Sequence, residues 1–258
     1  MIGRRLPVVM VVIAALGVAF VVIPIVGLVF EVPWGELGSV LTSPIVLDAI
    51  RVSLVASVIA TIIATIVGVP IATVLARIRF RGRALVRALV LLPLVIPPVV
   101  GGAALLSVFG RRGLVGEPVY EATGLVLPFS IWGVVVAVTF VSLPFMVLTV
   151  EAGLRNMDSR FEEAAASLGA SPWMVLRRVT FPMVAPAITA GLVLTWARAF
   201  GEFGATITFA GNLQGRTQTM PLAVFVALES DRGAAVTISL MMVIVSVVLL
   251  VVLRDRWW

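Results

Sequence analysis

Histidine, cysteine and lysine occur nowhere in the 258 residues, and tyrosine occurs once. Without cysteine there is no disulfide to report a compartment. Without histidine and cysteine the usual nitrogen and sulfur ligands of zinc and copper are missing. Ser–His nucleophile pairs are excluded for the same reason. A diaspartyl site within a membrane is excluded because no Asp lies inside the apolar runs. No phosphate-binding loop motif occurs, so the chain by itself is not expected to hydrolyse ATP. Charge is also scarce, at 12% of residues against 61% hydrophobic. A soluble domain of this length needs a far more polar surface.

What is present in abundance is long apolar sequence. Charge-free runs cover 6–30, 52–76, 88–110, 122–150, 179–197 and 233–253. Each reaches the roughly 17–25 residues that cross a hydrocarbon core as helix. Six such runs describe an all-α integral membrane protein with six transmembrane helices. The first run follows Arg4 and Arg5 and imitates a signal peptide. It is too long for a typical apolar signal core and has no small-x-small site before Glu31, so a retained helix is expected.

All nineteen basic residues are Arg, which reads as genome base composition rather than chemistry. The formal charge of +6 is no nucleic-acid footprint, because the arginines fall at the ends of the apolar runs. Arg4, Arg5, Arg77, Arg79, Arg81, Arg83, Arg87, Arg155, Arg160, Arg177, Arg178, Arg254 and Arg256 fall on one side of the alternating topology. Only Arg51, Arg111, Arg112, Arg216 and Arg232 fall on the other. Thirteen against five places both termini on the cytoplasmic side of the membrane.

Proline and glycine interrupt several spans. The third reads LLPLVIPPVVGG, with Pro93, Pro97, Pro98, Gly101 and Gly102 in apolar sequence; the fourth carries Pro144, and the fifth opens with Pro182 and Pro186. Broken backbone at membrane depth survives only where protein or a water-filled cavity satisfies the freed groups. Simple kinks in helix packing and spans that line a path both remain open. No internal repeat and no linker marks a second domain.

Between the fourth and fifth runs lies a charged interruption, Glu162 to Pro182, EEAAASLGASPWMVLRRVTFP. Asp158 or Ser159 can cap a first helix, and from Ser159 the side chain of Glu162 falls where a capping box needs it. Phe161, Ala164, Ala165 and Leu168 recur at helical spacing as one narrow apolar face. Gly169 suits the left-handed residue past a helix end. Ser171 then caps a second helix with Pro172 in its first position. From the physics alone, an amphipathic loop lying on lipid competes with a docking element.

Glu163-Ala164-Ala165, three residues, Gly169, nine residues, then Val179-Thr180-Phe181-Pro182 resembles the EAA signature of importer-type ATP-binding cassette permeases. Val179 and Phe181 depart conservatively from the usual Ile and Leu of that pattern. The resemblance implies that this cytoplasmic loop is a coupling helix docking in a groove on an ATPase subunit. It assigns ATPase coupling to Glu162, Glu163, Ala164, Ala165, Leu168, Gly169 and Pro182. The stretches LLPLVIPPVVGGAALLSVFGRRGLVG and RAFGEFGATITFAGNLQGRTQTMPLAVFVALE are similar to the molybdate branch of these permeases, with the sulfate branch close.

That resemblance implies a division into a first transmembrane helix and external loop (1–48), a type-1 permease domain (49–253) and a short cytoplasmic tail (254–258). It implies a homodimer in the cytoplasmic membrane, two copies of a cytoplasmic ATPase and an external oxyanion-binding protein, with no nucleic acid. ATP with magnesium would be used by the partner ATPase, and this chain would hold no cofactor, catalytic residue or metal. The expected cargo is molybdate or tungstate, whose size and charge are nearly equal. Sulfate or thiosulfate is the alternative.

Arg198 and Glu202 lie four apart and share a helix face. An unpaired Arg at mid-membrane costs about 2.5–3.5 kcal/mol on insertion scales, so an internal ion pair is expected. Contact of Arg198 with a passing oxyanion is the other reading. Gly201 and Gly204 permit close helix approach beside them. Pro97, Pro98, Arg198, Glu202, Gly204 and Arg216 are the candidates for the translocation path. An ion-coupled secondary transporter is the rival from a different class, but it calls for inverted repeats or several buried ionisable groups and leaves the EAA spacing unexplained.

Overall fold

The computed structural model describes residues 7–253; Arg4, Arg5, Arg254 and Arg256, and with them the expected tail 254–258, lie outside that range. Among the described residues all regular structure is helical. Helix α1 spans Val8–Glu31, the short α2 spans Leu37–Leu41, and α3 spans Pro44–Arg77. Ser43 starts α3 by accepting from the Val46 amide at 3.4 Å, with Pro44 in the first turn where its missing N–H costs nothing. Its 34 residues reach about 51 Å at 1.5 Å per residue, well beyond a hydrocarbon core of about 30 Å.

The run 88–110 is not one straight span. Helix α4 (Arg83–Leu91) passes through a 3-10 turn at Leu92–Leu94, and α5 (Pro98–Phe109) leaves at 112° to that direction. Two adjacent prolines cause the break. Pro98 bars the preceding residue from the α region, and Pro97 accordingly has φ −54° and ψ 136°. Pro98 then opens the new helix. By contrast Pro70, Pro144 and Pro186 sit inside continuous helices. The prolines that kink and the prolines that break are therefore different, and only the adjacent pair breaks.

The chain continues through α6 (Gly116–Thr123), α7 (Ile131–Asn156), α8 (Arg160–Ser167) and α9 (Pro172–Val175). A π-helical turn at Leu176–Thr180 joins α9 to α10 (Phe181–Phe200). Then come α11 (Gly204–Phe209), α12 (Met220–Ser230) and α13 (Arg232–Leu253). Among the described residues five helices are long and apolar enough to cross a membrane, and the bent α4–α5 pair makes a sixth if it is one span.

The centre is a bundle of α3, α7 and α10. Small residues let these backbones approach. A Cβ on Gly68 of α3 would lie 3.0 Å from Met146 Cγ, and one on Gly191 of α10 would lie 2.9 Å from Met146 Sδ. The thioether of Met146 on α7 thus fills the space both glycines leave open. Buried Thr61 and Thr237 donate to carbonyls of their own helices, Thr61 Oγ1 to that of Ser57 at 2.7 Å and Thr237 Oγ1 to that of Gly233 at 2.9 Å. Helix α1 stands against the body only near its end, where Leu28 and Val29 meet Val236 and Leu240 of α13.

The bundle has two distinct ends. One gathers Arg77, Arg87 and Arg155 with α8 and α9, since Arg77 pairs with Glu162 and Arg87 with Glu151. The other gathers α2, the 211–219 loop and the start of α12, where the Met220 amide donates to Ser53 Oγ of α3 at 2.7 Å.

Candidate coupling segment and path elements

Local rules account for the shape of α8 and α9. Asp158 Oδ1 accepts from the Arg160 amide at 3.0 Å and closes the start of α8. The expected capping box from Ser159 to Glu162 does not form. Ser159 Oγ instead donates to Glu163 Oε1 at 3.0 Å, because the Glu162 carboxylate is turned inward to other partners. At the far end Gly169 has φ +85°, the Gly169 amide donates to the Ala166 carbonyl at 2.9 Å, and the Ala170 amide to that of Ala165 at 3.1 Å. This is the paired hydrogen-bond pattern of a Schellman cap, and it needs the left-handed residue. Ser171 Oγ then accepts from the Met174 amide at 3.3 Å, with Pro172 next in the chain.

The apolar face of α8 points out of the molecule. Leu168 is 89% exposed, Trp173 66% and Phe161 56%, and Ala164 is exposed between them. Apolar side chains held out at the arginine-rich end form a patch suited to a partner surface. Behind it, the π-turn carries the Phe181 amide to the Leu176 carbonyl, five residues back. Pro182 follows at once and offers no N–H, and the wider turn relieves the crowding a proline ring causes in a regular helix. Residues 172–200 thereby run from the exposed patch to the bundle as one apolar helix, bulged but unbroken.

Two carboxylates, Glu151 buried and Glu162 half-buried, organise this end, and the sequence reading missed the first of them. Glu151, 1% exposed, lies between Arg155 one turn on and Arg87 of α4, whose Nε is 3.2 Å away. Its signal was the i,i+4 spacing to Arg155, hidden because Glu151 merely ended an apolar run. Glu162 accepts from Thr180 Oγ1 at 2.6 Å through Oε1, while its Oε2 is 3.1 Å from Nη2 of Arg77.

The path candidates fall into two places. Pro98 and Gly204 meet directly: a Cβ on Gly204 would be 2.9 Å from Pro98 Cβ. One turn along, a Cβ on Gly102 would be 2.7 Å from Thr208 Cβ and 2.8 Å from the Ala205 carbonyl oxygen. Helices α5 and α11 therefore pack backbone against backbone beside the break at Pro97. Arg198 and Glu202 pair as expected, although Glu202 sits just past the end of α10. Its other oxygen accepts from the Ala205 amide at 2.8 Å, so Glu202, 2% exposed, also caps α11.

Arg216 lies apart from these. It lines a hollow of about 330 Å³ with Asp48, Arg51, Val52, Val55, Ile131 and Gly215 at the end opposite α8. The loop that carries it is tightly folded. Gly211 and Gly215 have φ +73° and +72°, and the amides of Arg216, Thr217 and Gln218 all converge on the Leu213 carbonyl.

Comparison with known proteins fits this geometry. Residues 68–256 match the family described as binding-protein-dependent transport system inner membrane component. The chain is 43% identical over 233 residues to the molybdenum transport system permease protein ModB of Mycobacterium tuberculosis, covering 90% of this chain and 88% of that one. It is 36% identical over 221 residues to the sulfate transport system permease protein CysT of Escherichia coli, covering 85% and 79%. A solved bacterial alginate ABC transporter, in complex with an alginate pentasaccharide-bound periplasmic protein, has a chain that superposes with a TM-score of 0.74 at 16% identity, covering 96% of this chain and 91% of that one.

Proposed function

We propose, starting from the fact that this chain belongs to the family of binding-protein-dependent transport system inner membrane components, that it is the permease subunit of an ATP-driven importer carrying molybdate across the cytoplasmic membrane. Similarity to a molybdenum permease over nine-tenths of the chain supports the cargo. The observation that carries the importer reading is the α8–α9 joint: an outward apolar face, a left-handed glycine and a capped second helix running into the bundle.

In this reading two copies of the chain form the path between them. Two ATPase subunits bind the α8–α9 ends from the cytoplasm, and an external binding protein delivers the oxyanion to the opposite end. The α4–α5 pair counts as the third of six spans, and both termini are cytoplasmic. ATP binding and hydrolysis on the partners move the docked α8, and α9 passes the movement through the π-turn into α10. The contact of α5 with α11 at Gly102 and Gly204, next to the Arg198–Glu202 pair, is the part of the path that the movement rearranges. Tungstate, nearly equal to molybdate in size and charge, travels with it.

Sulfate is the second reading, because the similarity to a sulfate permease also spans most of the chain. The test is to purify this chain with its neighbouring subunits and measure oxyanion binding by the external receptor, with sulfate as competitor. A co-purifying nucleotide-binding subunit and a receptor that holds molybdate against excess sulfate are expected. A receptor that prefers sulfate overturns the cargo; uptake driven by an ion gradient without an ATPase overturns the importer.

A further inference from the structure

Glu162 stands outside the EAA spacing, which begins one residue later, and its geometry differs from that of its neighbours. Phe161, Ala164 and Leu168 face outward, and Glu163 is exposed against Ser159. Glu162 alone on α8 reaches two other elements with its carboxylate. Oε2 is 3.1 Å from Nη2 of Arg77, the last residue of α3. Oε1 accepts at 2.6 Å from Thr180 Oγ1, which is buried at the last position of the π-turn before α10. Otherwise α8 packs mainly on α9 and that same π-turn.

We infer that Glu162 is a positioning residue: its carboxylate ties the docking helix to α3 and α10 at once, so that displacement of α8 moves two helices of the central bundle together. Without it, α8 is joined to α10 only by its packing on α9 and the π-turn, and α3 has no charged hold on the segment. The side chains of the pair are 29% exposed at Arg77 and 21% at Glu162. Part-exposed ion pairs contribute little to folding stability. A contact that adds little stability but bridges three moving parts acts on coupling, and this separates the inference from a merely structural role. It rests on reading α8–α9 as the ATPase-docking segment.

The experiment uses the full transporter, this permease with its ATPase subunits and binding protein, reconstituted in vesicles. Molybdate taken up per ATP hydrolysed is measured for wild type, Glu162→Gln, Arg77→Gln, Thr180→Val and the exchange Arg77→Glu with Glu162→Arg. Thermal unfolding and co-purified ATPase are measured alongside. Each single variant is expected to lower the uptake-to-hydrolysis ratio about three- to tenfold, the size of a coupling contact, with unfolding temperature and ATPase content unchanged. The exchange variant restores the ion pair but leaves Thr180 without its acceptor, so its ratio is expected to match that of Thr180→Val.

An unchanged ratio in the singles overturns the inference. So does a lowered unfolding temperature with uptake and hydrolysis falling in parallel, or an exchange variant that falls clearly below Thr180→Val. Failure of the docking reading is a separate result: wild-type permease would then neither retain the ATPase nor show ATP-dependent uptake.

Discussion

Replacing Gly169 by Val tests the joint at its narrowest point. The residue has φ +85°, and a Cβ added there meets nothing within 4 Å. Overpacking therefore contributes nothing, and the whole penalty is the backbone strain of a β-branched residue in the left-handed region, about 1–3 kcal/mol. Relief of that strain opens the Schellman cap, frees the amides of Gly169 and Ala170, and lets α9 leave its angle to α8. A difference of that size shifts the local equilibrium roughly 5- to 150-fold. Insertion in the membrane should survive, because the α3–α7–α10 bundle is untouched. Hydrolysis stimulated by loaded binding protein, measured in vesicles, should fall severalfold. Gly169→Asn is the control, since Asn enters the left-handed region at far lower cost. Wild-type coupling in Gly169→Val, or equal damage from Asn and Val, would refute the reasoning.

Three further outcomes are expected. Glu202→Gln keeps an acceptor for the Ala205 amide but leaves Arg198 unpaired, and should cost about 1–3 kcal/mol, less than in a fully buried pair because Arg198 is part-exposed. The double variant Arg198→Met with Glu202→Gln should recover much of the lost unfolding temperature; purely additive losses would exclude the pair, and full recovery of uptake would exclude contact of Arg198 with the anion. Gly102→Val puts atoms into a space where a Cβ already lies 2.7 Å from Thr208, and should cost about 1–3 kcal/mol or more as α5 is pushed off α11, read as a lower unfolding temperature; an unchanged one contradicts the close packing. A cysteine at Gly82 should react with a membrane-impermeant maleimide only from the cytoplasmic side and one at Gln214 only from outside; the reverse labelling overturns the orientation.

The elements that local rules govern were legible in the sequence. Ser171-Pro172 and Gly169 announced helix ends because capping depends on a few neighbouring residues, and each does what its type suggests. The pairing of Arg198 with Glu202 followed from spacing alone. Where distant elements decide, the reading fell short. Ser159 and Glu162 had the right spacing for a capping box, yet Arg77 and Thr180, 85 and 18 residues from Glu162, draw its carboxylate away. Helix α11 was invisible because six residues ending in Thr-Phe carry no helical signature; it exists because Glu202 caps it and α5 covers it. Arg216 shared a motif with the other path candidates, but the folded 211–219 loop holds it beside Asp48 and Arg51, at the end opposite α8. Proline content alone could not separate the 112° break from the intact helices around Pro144 and Pro186, since only adjacent prolines force the turn.

The most direct test of the central claim is uptake of labelled molybdate into vesicles holding this permease, its ATPase subunits and enclosed ATP, with the loaded binding protein outside. The account predicts uptake that requires both ATP and the binding protein, resists a hundredfold excess of sulfate, and falls severalfold in Gly169→Val while the subunits stay assembled. Uptake that proceeds without ATP, or that sulfate abolishes at equal concentration, would contradict it.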